Sequence, residues 1–332
     1  MRPRPLTFPS GRTARRLEWP HLPPAVRALV EERCGSPVVS ARSQGGGFTP
    51  GFASVLVCED GTRHLVKAAS STAQRMFAAS YREEARKLCA LPDSAPAPRL
   101  LWCEDGDWVV LGLEYVECAP PARPWRPEAL ERVLDTLEVV ADRLTPAPEA
   151  LQLDTFADEL AGWPAYWEHV RATRDLPHAD EAAALAGSFA DVVGGETLVH
   201  TDVRDDNVLL TPGGRALLCD WNWPVIGADW LDSLIALIGP RGDGLDVEAA
   251  IGRRRLLRDV PADHLDRVLA VLCGYFLKSA DDPVPATSPH IRQAQAWQGA
   301  VVWDWLSERR GWTTGTRATR TGANGVRAGR AQ

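Results

Sequence analysis

Lysine is almost missing from this chain: Lys67, Lys87 and Lys278 are the only three among 37 lysines and arginines in 332 residues. There is no excess of positive charge. The formal net charge is −7, and an acidic surface repels nucleic-acid phosphates, which sets general DNA or RNA binding aside. No stretch reaches the ~18 uninterrupted apolar residues of a membrane-crossing helix. The richest window, 216–238, is broken by Asp220, Asp229 and Asp232. No CxxC pair occurs, and the seven cysteines are scattered and odd in number. A disulfide framework is therefore not expected, and reduced thiols in a cytoplasmic protein are. Arg15-Arg16 is followed by Leu17-Glu18-Trp19-Pro20-His21 with no apolar segment behind it, so it reads as part of a basic arm and not as a secretion signal. No internal repeat is evident.

What is present is ordinary globular material, 45% hydrophobic and 24% charged, in two styles. Residues 38–116 are mostly strand-like. The apolar run 52–58 meets a turn at Glu59-Asp60-Gly61-Thr62 and returns over 63–68. Further strands are expected at 99–103 and 108–114, with a helix at 78–91 before them. A proline-rich stretch, 118–127, separates this part from a helical one. There Leu130, Val133, Leu134, Leu137, Val140, Ala141 and Leu144 recur at three- and four-residue steps behind Pro127, one apolar helix face. Spans 156–171, 182–193, 247–258, 265–279 and 291–310 also read as helices. The expected organisation is an arm and helix (1–37), a strand-rich lobe (38–117), a helical lobe (118–312) and a disordered tail (313–332) with little to bury. Ligands favour the cleft between two such lobes.

One hairpin in the helical part carries chemistry. It runs His200-Thr201-Asp202-Val203-Arg204-Asp205-Asp206-Asn207, then two short apolar strands around Thr211-Pro212-Gly213-Gly214-Arg215, and ends on Asp220-Trp221. If the strands pair with Leu210 opposite Leu217, Asn207 faces Asp220, and an amide oxygen and a carboxylate meet at the open end. Such oxygen donors suit Mg²⁺. Asp202, in the approach loop, is placed to take a proton from a hydroxyl held beside the metal. Arg204 could reach a phosphate oxygen, and His200 could fix the loop through backbone hydrogen bonds.

A second constellation lies in the strand-rich part. Gly45-Gly46-Gly47-Phe48-Thr49 precedes the 52–58 strand, and successive glycines let backbone N–H groups close on phosphate oxygens. The run is neither GxxxxGK[ST] nor a dinucleotide GxGxxG. Pairing across Asp60-Gly61 with Cys58 opposite Arg63 sets Ser54 opposite Lys67, beneath the glycine loop. A buried lysine needs a partner, and Glu83 and Glu84 on the following helix are candidates.

Together these pieces resemble the aminoglycoside phosphotransferase family, small-molecule kinases with the protein-kinase-like fold. The resemblance spans about residues 43–312 and rests on Gly45-Gly46-Gly47, Val66-Lys67, Glu84-Ala85-Arg86, Leu113-Glu114-Tyr115-Val116, His200 with Asp202 and Asn207, and Asp220-Trp221. It implies an α+β bilobal fold and ATP-dependent, Mg²⁺-assisted phosphorylation of a hydroxyl on a small molecule such as an antibiotic, a sugar or a related metabolite. By the resemblance Asp202 is the catalytic aspartate, Asn207 and Asp220 are magnesium ligands, and Lys67 holds the phosphates with Glu84 as its helix partner. The backbone of Glu114, Tyr115 and Val116 meets the adenine, and Asp232 supports the catalytic loop. Three departures stand out: Thr201 where the family usually has glycine, Asn222 where an acidic residue is common, and the stiff Phe48-Thr49-Pro50 after the glycines.

The acceptor side is expected between residues 150 and 196, where Asp154, Asp158, Glu159, Glu168 and Asp180 offer charge to an amine. Most of the 13 tryptophans should build core, with a few left to line a pocket. The rival reading is a non-catalytic nucleotide-binding scaffold, against which stands the intact set Lys67, Asp202, Asn207 and Asp220. A kinase acting on protein ranks last, because no Ala-Pro-Glu end follows Asp220.

Overall fold

A computed structural model of the chain describes residues 3–9, 13–48 and 50–312. The tail expected over 313–332 lies outside them. In the smaller lobe α1 (Pro24–Cys34) is stopped by Gly35, whose left-handed backbone (φ +77°) ends the helix. Five strands follow, β1 (Val38–Ser43), β2 (Phe52–Cys58), β3 (Arg63–Ser70), β4 (Leu100–Asp105) and β5 (Trp108–Glu114), with α2 (Arg75–Ala90) between β3 and β4. They make one antiparallel sheet in the order β1-β2-β3-β5-β4. Strand alternation sorts its side chains. Phe52, Leu56, Val66 and Val110 face Val26 and Val30 of α1, while Ala69, Val109 and Leu111 face Ala78, Tyr81 and Ala85 of α2. Burying each such Val or Leu contributes about 1.5–3 kcal/mol.

The larger lobe begins with α3 (Pro127–Arg143), whose Leu130, Val133, Leu134, Leu137 and Val140 are buried as the periodicity requires. It continues through α4 (Phe156–Glu159), α5 (Tyr166–Thr173), α6 (Ala179–Gly187), β6 (Thr197–Val199), β7 (Val208–Leu210), β8 (Ala216–Leu218) and β9 (Val225–Gly227). Then come α7 (Leu231–Ala236), α8 (Ile238–Gly242), α9 (Val247–Arg253), α10 (Ala262–Ala280) and α11 (Ile291–Arg309). The core is built around α10, with Trp167, Trp221 and Trp305 fully buried. Among the described residues no helix is long and apolar enough to cross a membrane, and all seven cysteines are free.

Two expectations of pairing are corrected for one shared reason. Ala53, not Ser54, stands opposite Lys67, and Leu210 pairs with Ala216, not Leu217. Each hairpin closes a three-residue turn whose last residue is a left-handed glycine, Gly61 (φ +82°) or Gly214 (φ +85°). Cys58 therefore bonds to Thr62, and Thr211 to Arg215. Asn207 consequently faces Cys219, and Asp220 lies one residue beyond. The expected helix 156–171 is broken as well. Pro164, which has no N–H to give, opens a separate 3-10 turn (Trp163–Ala165) between α4 and α5. The helix expected over 182–193 stops at Gly187, where the Ser188 hydroxyl donates to Leu185, and the one expected over 247–258 stops at Arg253.

Candidate active site

β3 and α2 bring the rare lysine to its partner. Lys67 Nζ lies 2.6 and 2.8 Å from the Glu84 carboxylate oxygens and 3.4 Å from Asp220. Glu83 turns away to Arg86, at 2.9 Å. Burial works against the Lys67 charge, but Glu84 and Asp220 outweigh it and raise the lysine above its ordinary value, so it stays a cation.

β6 delivers the approach loop. The buried Asp232 on α7 accepts the N–H groups of His200 (2.7 Å) and Thr201 (2.9 Å). His200 is fully buried and neutral, because burial depresses it. Its Nε2 meets the Cys219 carbonyl at 3.0 Å and its Nδ1 accepts from the Asp202 N–H at 3.3 Å. Both side chains hold the loop's backbone. Thr201 sits in left-handed backbone (φ +67°), the conformation for which glycine is suited, and its hydroxyl donates to the Trp223 carbonyl at 2.8 Å.

Burial in the cleft pushes the Asp202 carboxyl up to about 6, against the pull of Arg204. Arg204 Nε lies 3.0 Å from Asp202 and 3.1 Å from Asp206, and its guanidinium rests 5.3 Å from the centre of the Phe48 ring. Its charge is thus already shared by two carboxylates, and it joins the approach loop to the glycine loop. Asn207 spends its amide nitrogen on Asp202, at 2.9 Å to the carbonyl and 2.8 Å to the carboxylate. The amide oxygen is left for a cation. Asp220 is also left-handed (φ +66°). Burial opposes its charge, but Lys67 and Arg204 outweigh that and hold it below the usual carboxylate range. Asn222, in the place where an acid was expected, donates to Asp220 and accepts from Ser80 of α2 at 3.1 Å.

The glycine loop between β1 and β2 is fastened on its outer side. Thr13 takes the carbonyls of Gly45 and Gly47, and Arg16 reaches Gly46 at 2.7 Å and Gly51 at 3.3 Å. Ser288 of the larger lobe donates to the Phe48 carbonyl at 2.5 Å. Gly47 is left-handed (φ +77°), and a side chain at Gly51 would collide with Tyr81, so these two glycines are required. Thr49 lies outside the described residues.

Two cavities meet here. A cavity of about 420 Å³ is lined by Gly46, Gly47, Lys67, Glu84, Asn207 and Asp220, with Leu65 and Leu113 on its apolar wall. Pro120, Pro121 and Ala122 also line it. Glu114, Tyr115 and Val116 are not among its walls: the Glu114 N–H is taken by the Arg99 carbonyl at 2.9 Å and its carboxylate by the Arg99 side chain. Gly45 does not line it either, and Phe48 faces the second cavity. That cavity, of about 920 Å³, has Asp202, Arg204, Phe77, Trp163, Trp223 and Tyr275 in its walls. Of the acids expected on the acceptor side, Glu159 lines it; Asp158 lies within α4 and its carboxylate accepts from the capping Thr155 hydroxyl at 2.6 Å, and Asp180 pairs with Arg171.

Sequence reasoning missed Arg16 and Arg123, which come to the site from far along the chain. Arg123 lines both cavities and is held by Asp243 at 2.8 Å and by the Trp297 ring at 4.7 Å. Lys87, given no role from sequence, donates to the Asn222 carbonyl at 2.5 Å at the edge of the larger cavity.

Compared by sequence, no protein-family model and no curated protein matches the chain. Solved structures do match it. A thermostable mutant of an aminoglycoside phosphotransferase, in ternary complex with AMP-PNP and hygromycin B, is 15% identical with a TM-score of 0.59, over 89% of this chain and 100% of that one. A type I macrolide 2'-phosphotransferase is 18% identical with a TM-score of 0.54, over 82% and 95%. Choline kinase from Streptococcus pneumoniae is 14% identical with a TM-score of 0.55, over 83% and 99%. The chain therefore has the α+β, protein-kinase-like fold of the aminoglycoside and macrolide phosphotransferases.

Proposed function

We propose that this protein is an ATP-dependent small-molecule kinase that moves the γ-phosphoryl group to a hydroxyl of a bulky, largely apolar acceptor. The observation that carries the reading is the placement of three side chains at the junction of the cavities. Asn207 lines the smaller cavity, Asp202 the larger, and Asp220 both. A phosphoryl group passing from one cavity to the other would cross this point.

In this reading the smaller cavity takes the nucleotide. Lys67, kept charged by Glu84, pairs with its phosphates, and the N–H groups of the glycine loop face them. The Asn207 amide oxygen and the ionised Asp220 form a hard-oxygen pair that fits Mg²⁺. When bound, Mg²⁺ would neutralise charge developing on the phosphates. Asp202 orients the acceptor hydroxyl and accepts its proton as the new O–P bond forms and the bond to the ADP oxygen breaks. His200 and Asp232 hold the loop so that Asp202 stays aimed, and Arg204 tempers the cluster of acids around it.

The acceptor reading rests on volume and wall chemistry. About 920 Å³ is near the upper end of ligand pockets, and aromatic walls suit a large hydrophobic framework. Glu83 and Glu159 at the same cavity would favour an acceptor carrying an amine. Thermal melting with ATP and Mg²⁺, followed by ADP release over a panel of hydroxylated antibiotics and sugars, tests the reading. A Mg²⁺-dependent shift of a few degrees, lost in Asp220→Asn, is expected at saturating nucleotide. Full turnover in Asp202→Ala would sink it.

A further inference from the structure

The face of the small sheet turned away from the cleft holds a second cluster of chemistry-bearing side chains. Cys58 ends β2, His64 is the second residue of β3 opposite Leu56, and Cys34 ends α1, which covers that face. Strand parity puts Cys58 and His64 on the α1 side, with Leu56 and Val66, and not on the Lys67 side. Ligand atoms of the three residues all lie within 4.8 Å of one another. Cys58 is 1% exposed, and Cys34 packs on the same apolar cluster.

The orientation of the imidazole is set by a short relay. The Thr62 hydroxyl donates to Asp60 at 2.7 Å, so it can only accept from His64 Nε2, 3.3 Å away. That fixes the proton on Nε2. Nδ1 keeps its lone pair, and it is buried without a hydrogen-bond partner. A buried acceptor with no donor is costly. A metal-bound histidine characteristically gives its other ring N–H to an oxygen in this way.

The geometry points to a zinc site made by the Cys34 and Cys58 sulfurs and His64 Nδ1, stapling the end of α1 to the β2–β3 hairpin. Two thiolates and an imidazole are the donor set of zinc, and water takes the fourth place at the half-buried Cys34. In a tetrahedral zinc site neighbouring donor atoms stand about 3.5–3.8 Å apart, so closing the cluster takes shifts of about 1 Å or less. Binding would release protons, since burial and Cys58 keep Cys34 a neutral thiol in the free protein. The inference is independent of the kinase reading.

The test uses the full chain, stripped by chelator under reductant and titrated with Co²⁺ and then Zn²⁺. One equivalent of Co²⁺ should give a thiolate-to-cobalt charge-transfer band and tetrahedral visible bands, which Zn²⁺ abolishes while raising the melting temperature. Cys34→Ser and His64→Gln, at half-buried positions, should stay folded by circular dichroism and weaken binding by roughly 100-fold or more, and Thr62→Ala by roughly tenfold. Cys89→Ser and Cys103→Ser should leave it unchanged. Absence of the band, or its survival in Cys34→Ser, overturns the site. So does a Cys34–Cys58 disulfide in freshly isolated, metal-free protein.

Discussion

Arg16 donates to the carbonyl oxygen of Gly46 at 2.7 Å, and the same guanidinium reaches Gly51, so one side chain of the N-terminal arm holds both ends of the glycine loop. The glycine run is flexible by composition, and this cross-link fixes its shape over the smaller cavity. Arg16→Ala should raise the KM for ATP by roughly tenfold, with kcat within about threefold, because the loss falls on nucleotide positioning. Arg16→Lys should behave similarly, since a lysine lacks the fork that meets two carbonyls. Initial-rate kinetics at varied ATP check both.

Glu84 is the buried partner of Lys67. Removing one member of a buried ion pair costs about 3–5 kcal/mol, and Asp220 still faces the lysine, which moderates the loss. Glu84→Ala is expected to lower unfolding free energy by about 2–3 kcal/mol in urea. Lys67→Ala should lower kcat/KM for ATP by roughly 100-fold, about 2.7 kcal/mol of transition-state stabilisation. An unchanged kcat/KM would take Lys67 out of the mechanism.

Asp202 titrates near 6 because the cleft disfavours its charge. A proton acceptor must be ionised, so kcat/KM should be level near pH 7–8 and fall about tenfold per unit below pH 6. Asp202→Asn should cost roughly a thousandfold in turnover while sparing nucleotide-induced melting shifts. For stability the sign is opposite. A carboxyl raised in the folded state favours folding while protonated, and that contribution is lost as pH rises through about 6. Asp202→Asn should therefore flatten the stability profile between pH 4 and 6.

Thr201 is a β-branched residue in left-handed backbone, which costs about 1–2 kcal/mol. Its hydroxyl bond to Trp223 offsets part of that. Thr201→Gly exchanges strain relief for a lost hydrogen bond and should change stability by less than about 1 kcal/mol, with activity kept. Thr201→Val keeps the strain and loses the bond, and should cost about 1–2 kcal/mol. Chemical denaturation of the pair separates the two contributions.

The arrangement of the 200–207 loop was legible because it is local: His200, Asp202 and Asn207 are close in sequence, and Asp232 on α7 holds the loop's backbone. The pairing registers were not, since each depended on whether a glycine, Gly61 or Gly214, took a left-handed turn. From spacing alone Glu83 and Glu84 stayed open; the resemblance pointed to Glu84, and α2 turns that carboxylate to Lys67. Glu114 ends β5 and Tyr115 and Val116 follow it, yet Arg99 claims the Glu114 N–H and carboxylate, a partner no local pattern announces. Arg16 and Arg123 carried no signal at all, because an arginine in an arginine-rich chain is not distinctive. The aromatic walls of the larger cavity come from α2, the turn after α4, the loop after β8 and α10, a convergence that only packing creates.

The arm that fastens the glycine loop is also moored to the other lobe: the Arg4 N–H donates to the Gly242 carbonyl, Arg4 pairs with Asp304, and the Trp297 indole donates back to the Arg4 carbonyl. Any parting of the lobes must tighten or slip this mooring. The beginning of the chain is in that sense a strain gauge, and a fluorophore beside Arg4 would report each opening of the cleft that Leu6 and Phe8 help to line.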